Sequence, residues 1–108
     1  MRYVFLVRVE EGAQPTAEES DPGPWWEDAN RRGMWVGGDR LRGPSDATTV
    51  RVRDGKVLVT DGPFAEFKEQ VAGFDLIEAD GMDEAVALAA GHPVTRFGAI
   101  EVREVWPF

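Results

Sequence analysis

The residues with the clearest chemical character lie together between Asp61 and Glu69. Asp61-Gly62-Pro63-Phe64 is followed at once by Glu66, Lys68 and Glu69. Read as turn chemistry, Asp61 bonds nearby backbone, Gly62 supplies an unusual φ and Pro63 fixes φ. Read as a site, the same run puts a carboxylate on a loop held by rigid strands, where binding groups are often carried. Asp61, half-buried beside Pro63 and Phe64, is then a candidate general base or ligand anchor. Gly62 lets the backbone approach a ligand closely, and Pro63 holds the turn with little entropy to lose. Phe64 supplies an apolar wall, and Lys68 or Arg40 the counter-charge. Glu66 and Lys68 would complete a polar pocket; their plainer reading is a solvated segment with weak surface pairs.

Other residues offer weaker chemistry. Arg51 and Arg53 alternate with Val50 and Val52, so both guanidiniums share one strand face. That face is either solvated or suited to a carboxylate-bearing ligand. His92 is the one histidine. It follows a helix, where a cationic His is favoured, so a structural or surface role is expected. Trp25, Trp26, Trp35 and Trp106 read as core or interface anchors. Trp25 and Trp26 are adjacent and cannot share a helix face, so one packs inward while the other meets a cleft or a partner. Gly37-Gly38 is no phosphate loop, since neither a Walker pattern nor Rossmann spacing follows it.

Composition narrows the classes. The chain has 108 residues, enough for one domain over residues 1–108 and one core. It has no cysteine, which excludes disulfides, thiolate metal sites and a Cys nucleophile. A single His argues against a His-rich metal site, and no cofactor motif is visible. The net charge of −8 opposes binding to phosphate backbones and anionic membrane surfaces. No apolar run approaches the ~18 residues of a membrane span, and the apolar run in the first ten residues is short for a signal peptide. A cytoplasmic protein is the expectation.

The elements that position these groups follow from periodicity. Tyr3–Val9 is a strand apolar on both faces: Tyr3, Phe5, Val7 and Val9 on one, Val4 and Leu6 on the other. A helix begins near Pro24 and stops at Gly33, and an extended segment from Met34 is interrupted at Gly37-Gly38. Thr48–Arg53 and Lys56–Thr60 flank Asp54-Gly55, a strong hairpin signal. A strand over Gln70–Ala79, a helix carrying Met82, Ala85, Val86 and Ala89 on one stripe, and a strand over Gly98–Trp106 complete the chain. The economical solution is an α+β fold, an αβ plait with an inserted β-hairpin. Two helices cover one sheet face, so a second copy is expected on the other, as a homodimer. The tail Val105-Trp106-Pro107-Phe108 is expected at that interface or its rim.

Val57–Glu78 resembles the DGPF family, a branch of the YCII-related proteins. The matching residues are Asp61-Gly62-Pro63-Phe64-Ala65-Glu66, then Lys68-Glu69, then Gly73-Phe74. Met1-Arg2-Tyr3, Met82-Asp83-Glu84-Ala85 and Ile100-Glu101-Val102-Arg103 are similar to the family's opening strand, second helix and closing strand. The resemblance implies a ferredoxin-like plait whose sheets pair face to face, the dimeric α+β barrel. It also implies, for some YCII-related proteins, a His near the first helix acting with an Asp. This chain has no His between Glu10 and Met34, and His92 does not stand in that position. The resemblance names no established reaction. The leading expectation is small-molecule binding in the cleft of each protomer, with any catalysis being cofactor-independent acid–base chemistry on a small polar or aromatic substrate. The alternative is a noncatalytic protein-interaction module, linked through the resemblance to sigma-factor regulation.

Overall fold

The computed structural model describes residues 1–107. Six strands and two helices follow in order: β1 (Arg2–Glu10), α1 (Gly23–Arg31), β2 (Trp35–Arg40), β3 (Thr48–Arg53), β4 (Lys56–Asp61), β5 (Glu69–Glu78), α2 (Met82–Ala90) and β6 (Gly98–Glu104). Short 3₁₀ turns occupy Pro44–Asp46 and Pro93–Arg96. Four strands make an antiparallel sheet in the order β2-β5-β1-β6, and β3-β4 form a separate two-stranded sheet. This is the ferredoxin-like plait with an inserted hairpin. No helix among the described residues is long and apolar enough to cross a membrane.

The two faces of β1 have different fates. Tyr3 and Phe5 are buried with Ile77 of β5 beneath Ala29 of α1 and Ala85, Leu88 and Ala89 of α2. Small residues on the helices let them sit close to these large sheet residues, which sustains dense packing. The other face carries Val4 and Leu6 of β1 opposite Leu76 and Phe74 of β5. Ion pairs frame this stripe: Arg2 with Glu78 at 3.4 Å and Arg8 with Glu101 at 3.1 Å. Neither helix packs on this face, and Phe74 stays 40% exposed.

β2 departs from the sequence expectation. The strand runs through Gly37-Gly38 to Arg40 and is not interrupted there. Its register slips between Trp35 and Gly37, so the glycines form an irregularity within a continuing strand. Gly38 has φ of 149°, and a Cβ there would lie 2.3 Å from the Phe74 carbonyl oxygen. Only glycine accepts that approach. Asp61 likewise belongs to β4 and does not begin the turn.

The tryptophans divide as their adjacency requires. Trp25 turns inward, its ring 6.5 Å from Phe5, and its indole N–H donates to the Leu88 carbonyl at 2.8 Å. Trp26 stays 39% exposed and meets Trp35 edge to face at 5.5 Å. Trp106 is 91% exposed. Phe108, assigned with it to an interface, lies outside the described residues.

Candidate functional site

The loop Gly62–Lys68 leaves β4 and returns to β5 along the end of the main sheet. Its start is fixed through Gly62. The Gly62 N–H donates to the Ala47 carbonyl at 2.7 Å, and the Thr49 hydroxyl donates to the Gly62 carbonyl at 2.9 Å. Gly62 has φ of 100°, a conformation that suits glycine and strains other residues. Its end is fixed by the Glu11 N–H, which donates to the Lys68 carbonyl at 2.6 Å. Gln70 donates from its side-chain amide to the Ala65 carbonyl at 3.4 Å, holding the middle. The Arg8 guanidinium lies 6.0 Å from the centre of the Phe67 ring.

Between this loop and the segment after β2 lies a cleft of about 850 Å³. Gly62, Pro63, Glu66 and Lys68, all expected at a site, line it together. Arg42, Ser45 and Gln70 add polar groups, while Leu41, Phe67 and Val71 add apolar wall. The cleft therefore sets two cations, Arg42 and Lys68, against apolar surface, with the carboxylates of Glu11 and Glu66 also present. That arrangement suits a small molecule carrying a carboxylate on an apolar body, bound by charge-assisted hydrogen bonds.

Three expected residues stand apart from the lining. Asp61 ends β4 with its side chain exposed, opposite Thr48. Phe64 is 71% exposed, its ring 6.2 Å from that of Phe67 and under the guanidinium of Arg51 at 6.0 Å. Arg40 is paired with Gly73 at the end of β2 and is exposed. Arg42, two residues on, lines the cleft where Arg40 was expected to supply counter-charge. Arg40 is the last residue of β2, whereas Arg42 stands beyond the strand end in the segment leading to the Pro44–Asp46 turn, so the end of the strand separates the two.

A larger cleft of about 990 Å³ lies by the start of α1, lined by Trp25, Phe97 and Arg96 among several carboxylates. Two of these acids are already engaged. Asp21 accepts from the Gly23 N–H at 2.9 Å, and Asp28 pairs with Arg31 and Arg32. Those guanidiniums hold the Asp28 carboxyl below its ordinary range, Arg32 contributing most. No group of three or more His, Cys, Asp or Glu residues among the described residues is arranged to hold a metal ion.

Two titratable groups differ from what their sequence positions suggest. His92 is 8% exposed and not a surface cation. Its ring lies 4.6 Å from Trp25, and Nδ1 accepts the Val94 N–H at 3.0 Å, capping the 3₁₀ turn. Burial lowers its pKa to about 4, so the ring is neutral at pH 7. The helix end that would favour a cation is outweighed by desolvation against Trp25. Asp75 was not singled out, yet it is the half-buried carboxylate of β5, accepting from the Trp35 indole N–H at 2.9 Å. Burial pushes its pKa up, and the Trp35 bond partly opposes this. A lone acid between Phe74 and Leu76, on the same strand face as Ile77, is the signal that could have marked it.

A family model, the YCII-related domain, matches residues 1–108. An uncharacterised protein, R00369, of Rhizobium meliloti (strain 1021) is 44% identical over 68 residues. The match covers 59% of this chain and 53% of that protein, so the chain spans about half the length of the curated relative. The plait with its hairpin, the Asp61–Glu66 run and the family model covering the full length agree: the chain belongs to the YCII-related family.

Proposed function

We propose that the protein binds a small carboxylate-bearing molecule in the cleft between the Gly62–Lys68 loop and the segment after β2. One observation carries this reading: Gly62, Pro63, Glu66 and Lys68 line one cleft with Arg42 and an apolar wall. Lys68 and Arg42 supply the charge complement, and Phe67 and Val71 receive the apolar body. Glu66 in the lining and Asp61 at the end of β4 are the carboxylates available for proton transfer if the bound molecule is turned over. Such chemistry would need no cofactor. The test is titration with benzoate and with short-chain fatty acids, followed by amide chemical shifts. Shifts confined to the cleft, and binding weakened about tenfold or more in Lys68→Met, are expected for the loss of one charge-assisted bond. Saturable binding elsewhere, or unchanged binding by Lys68→Met, overturns the reading.

The open sheet face supports a homodimer. Val4, Leu6, Phe74 and Leu76 form an apolar stripe framed by ion pairs, the core-and-rim composition of an interface. A second copy placed face to face would bury it. The alternative of a noncatalytic protein-interaction module draws on the exposed apolar hairpin. Its link to sigma-factor regulation has only the family resemblance behind it.

A further inference from the structure

We propose that the ligand of the cleft between the Gly62–Lys68 loop and the segment after β2 is a free α-amino acid with an apolar side chain, held as its zwitterion. This rests on the carboxylate-binding reading above and adds a second anchor to it, for an ammonium group. The charged residues lining the cleft are two cations, Arg42 and Lys68, and two carboxylates, Glu11 and Glu66. All four are exposed, and none forms an ion pair among the described residues. The Glu11 N–H donates to the Lys68 carbonyl at 2.6 Å, which sets those two residues side by side, yet their side chains do not pair. Glu66 and Lys68 flank Phe67, so an anion, an aromatic wall residue and a cation follow one another along the loop.

These charges separate ligand classes. A simple carboxylate drawn to Lys68 and Arg42 also meets Glu11 and Glu66, whose repulsion offsets part of the gain. A simple amine meets the converse. A zwitterion gives each pair its complement, its carboxylate to Lys68 and Arg42 and its ammonium to Glu66 and Glu11, through charge-assisted hydrogen bonds. A site that pairs both groups rejects an analogue lacking one of them, because its own polar groups are then left without partners. The balance of charge is particular to this cleft. The chain has a net charge of −8, and the cleft beside α1 sets five acids against Arg96 alone. Leu41, Phe67 and Val71 in the lining receive the apolar side chain. A volume of about 850 Å³ lies within the range of small-molecule pockets and admits one such ligand.

The test is calorimetric titration with L-phenylalanine and with hydrocinnamate, which keeps the ring and the carboxylate but lacks the ammonium. Amide chemical shifts report where each binds. The expected result is binding of L-phenylalanine in the cleft, tighter than hydrocinnamate by about tenfold or more, the worth of one charge-assisted bond. The variant Glu11→Gln/Glu66→Gln changes two exposed side chains that form no ion pair among the described residues, and circular dichroism checks that it stays folded. In that variant the two affinities converge, whereas Lys68→Met weakens both ligands. Hydrocinnamate bound in the cleft as tightly as L-phenylalanine, or a preference that survives the double substitution, overturns the zwitterion and leaves the carboxylate reading standing. Absence of cleft binding by either ligand overturns both.

Discussion

Acidification should destabilise this protein through His92. The ring is buried against Trp25 and accepts a backbone N–H at Nδ1, so the folded state holds it neutral. Its folded pKa of about 4 lies below the ordinary 6.5. The unfolded chain therefore takes up a proton between those values while the folded chain does not. Stability is complete above about pH 6.5 and falls as pH drops towards 4, because the unfolded state binds more protons there. Allowing for partial solvent screening, the loss by about pH 4.5 is on the order of 2 kcal/mol. The comparison is with His92→Asn, which keeps a side-chain acceptor for the 3₁₀ turn but does not titrate. Thermal melts of both proteins from about pH 7 down to about pH 4.5 remove the background titration of other carboxylates by difference. For a domain this size each kcal/mol moves Tm by roughly 4–8 °C, so the two melting curves should converge visibly on acidification. Parallel Tm profiles across the range would refute the argument that burial keeps the ring neutral.

Other perturbations have equally definite outcomes. Gly38→Ala should cost about 2 kcal/mol or more in urea unfolding, because its Cβ would meet the Phe74 carbonyl and its φ strains an L-residue. An unchanged denaturation midpoint would contradict the account of β2. Asp75→Asn keeps an acceptor for the Trp35 indole but removes a half-buried charge. It should therefore raise stability at neutral pH and lose that advantage as pH falls from the raised folded value towards the ordinary carboxylate value, which a Tm–pH profile reads directly. Trp106→Ala should weaken the proposed homodimer while leaving the monomer fold intact, since the ring is 91% exposed within one chain. Unaltered sedimentation would remove Trp106 from the interface. At net charge −8 the protein should give no salt-sensitive gel shift with duplex DNA.

The plait was legible where local pattern and tertiary role agree. Asp54-Gly55 between alternating valines fixed the hairpin, and its φ values of 52° and 73° are those such a turn requires. Tyr3–Val9, apolar on both sides, announced a strand with one face under helices and another needing cover. The Asp61–Glu66 run located the cleft, but not which charges enter it. Arg40 and Arg42 are equivalent in composition and differ in that β2 ends at the first and the second lies beyond it, a boundary that periodicity does not mark. The structural role of His92 was legible but its neutral state was not, because its neighbours in sequence are a helix end and a proline, while its neighbour in space is Trp25. Asp75 escaped notice because an acid in a strand reads as solvent-facing until the opposite residue, Phe5, is known to be core.

The root of the hairpin has an architectural consequence. Gly62 and Ala47 are hydrogen-bonded to each other, and β2 and β5 on either side are already neighbours in the main sheet. Everything between that pair is thus an inserted module on a closed base. The plait would close without it, as a simple antiparallel connection. Lengthening, shortening or rewriting the segment from Thr48 to Asp61 changes neither the helix-covered core nor the register of the four-stranded sheet. Chains built on this plan can diversify their surface at one insertion point, while the cleft beside Gly62 inherits whatever the new segment brings to its rim.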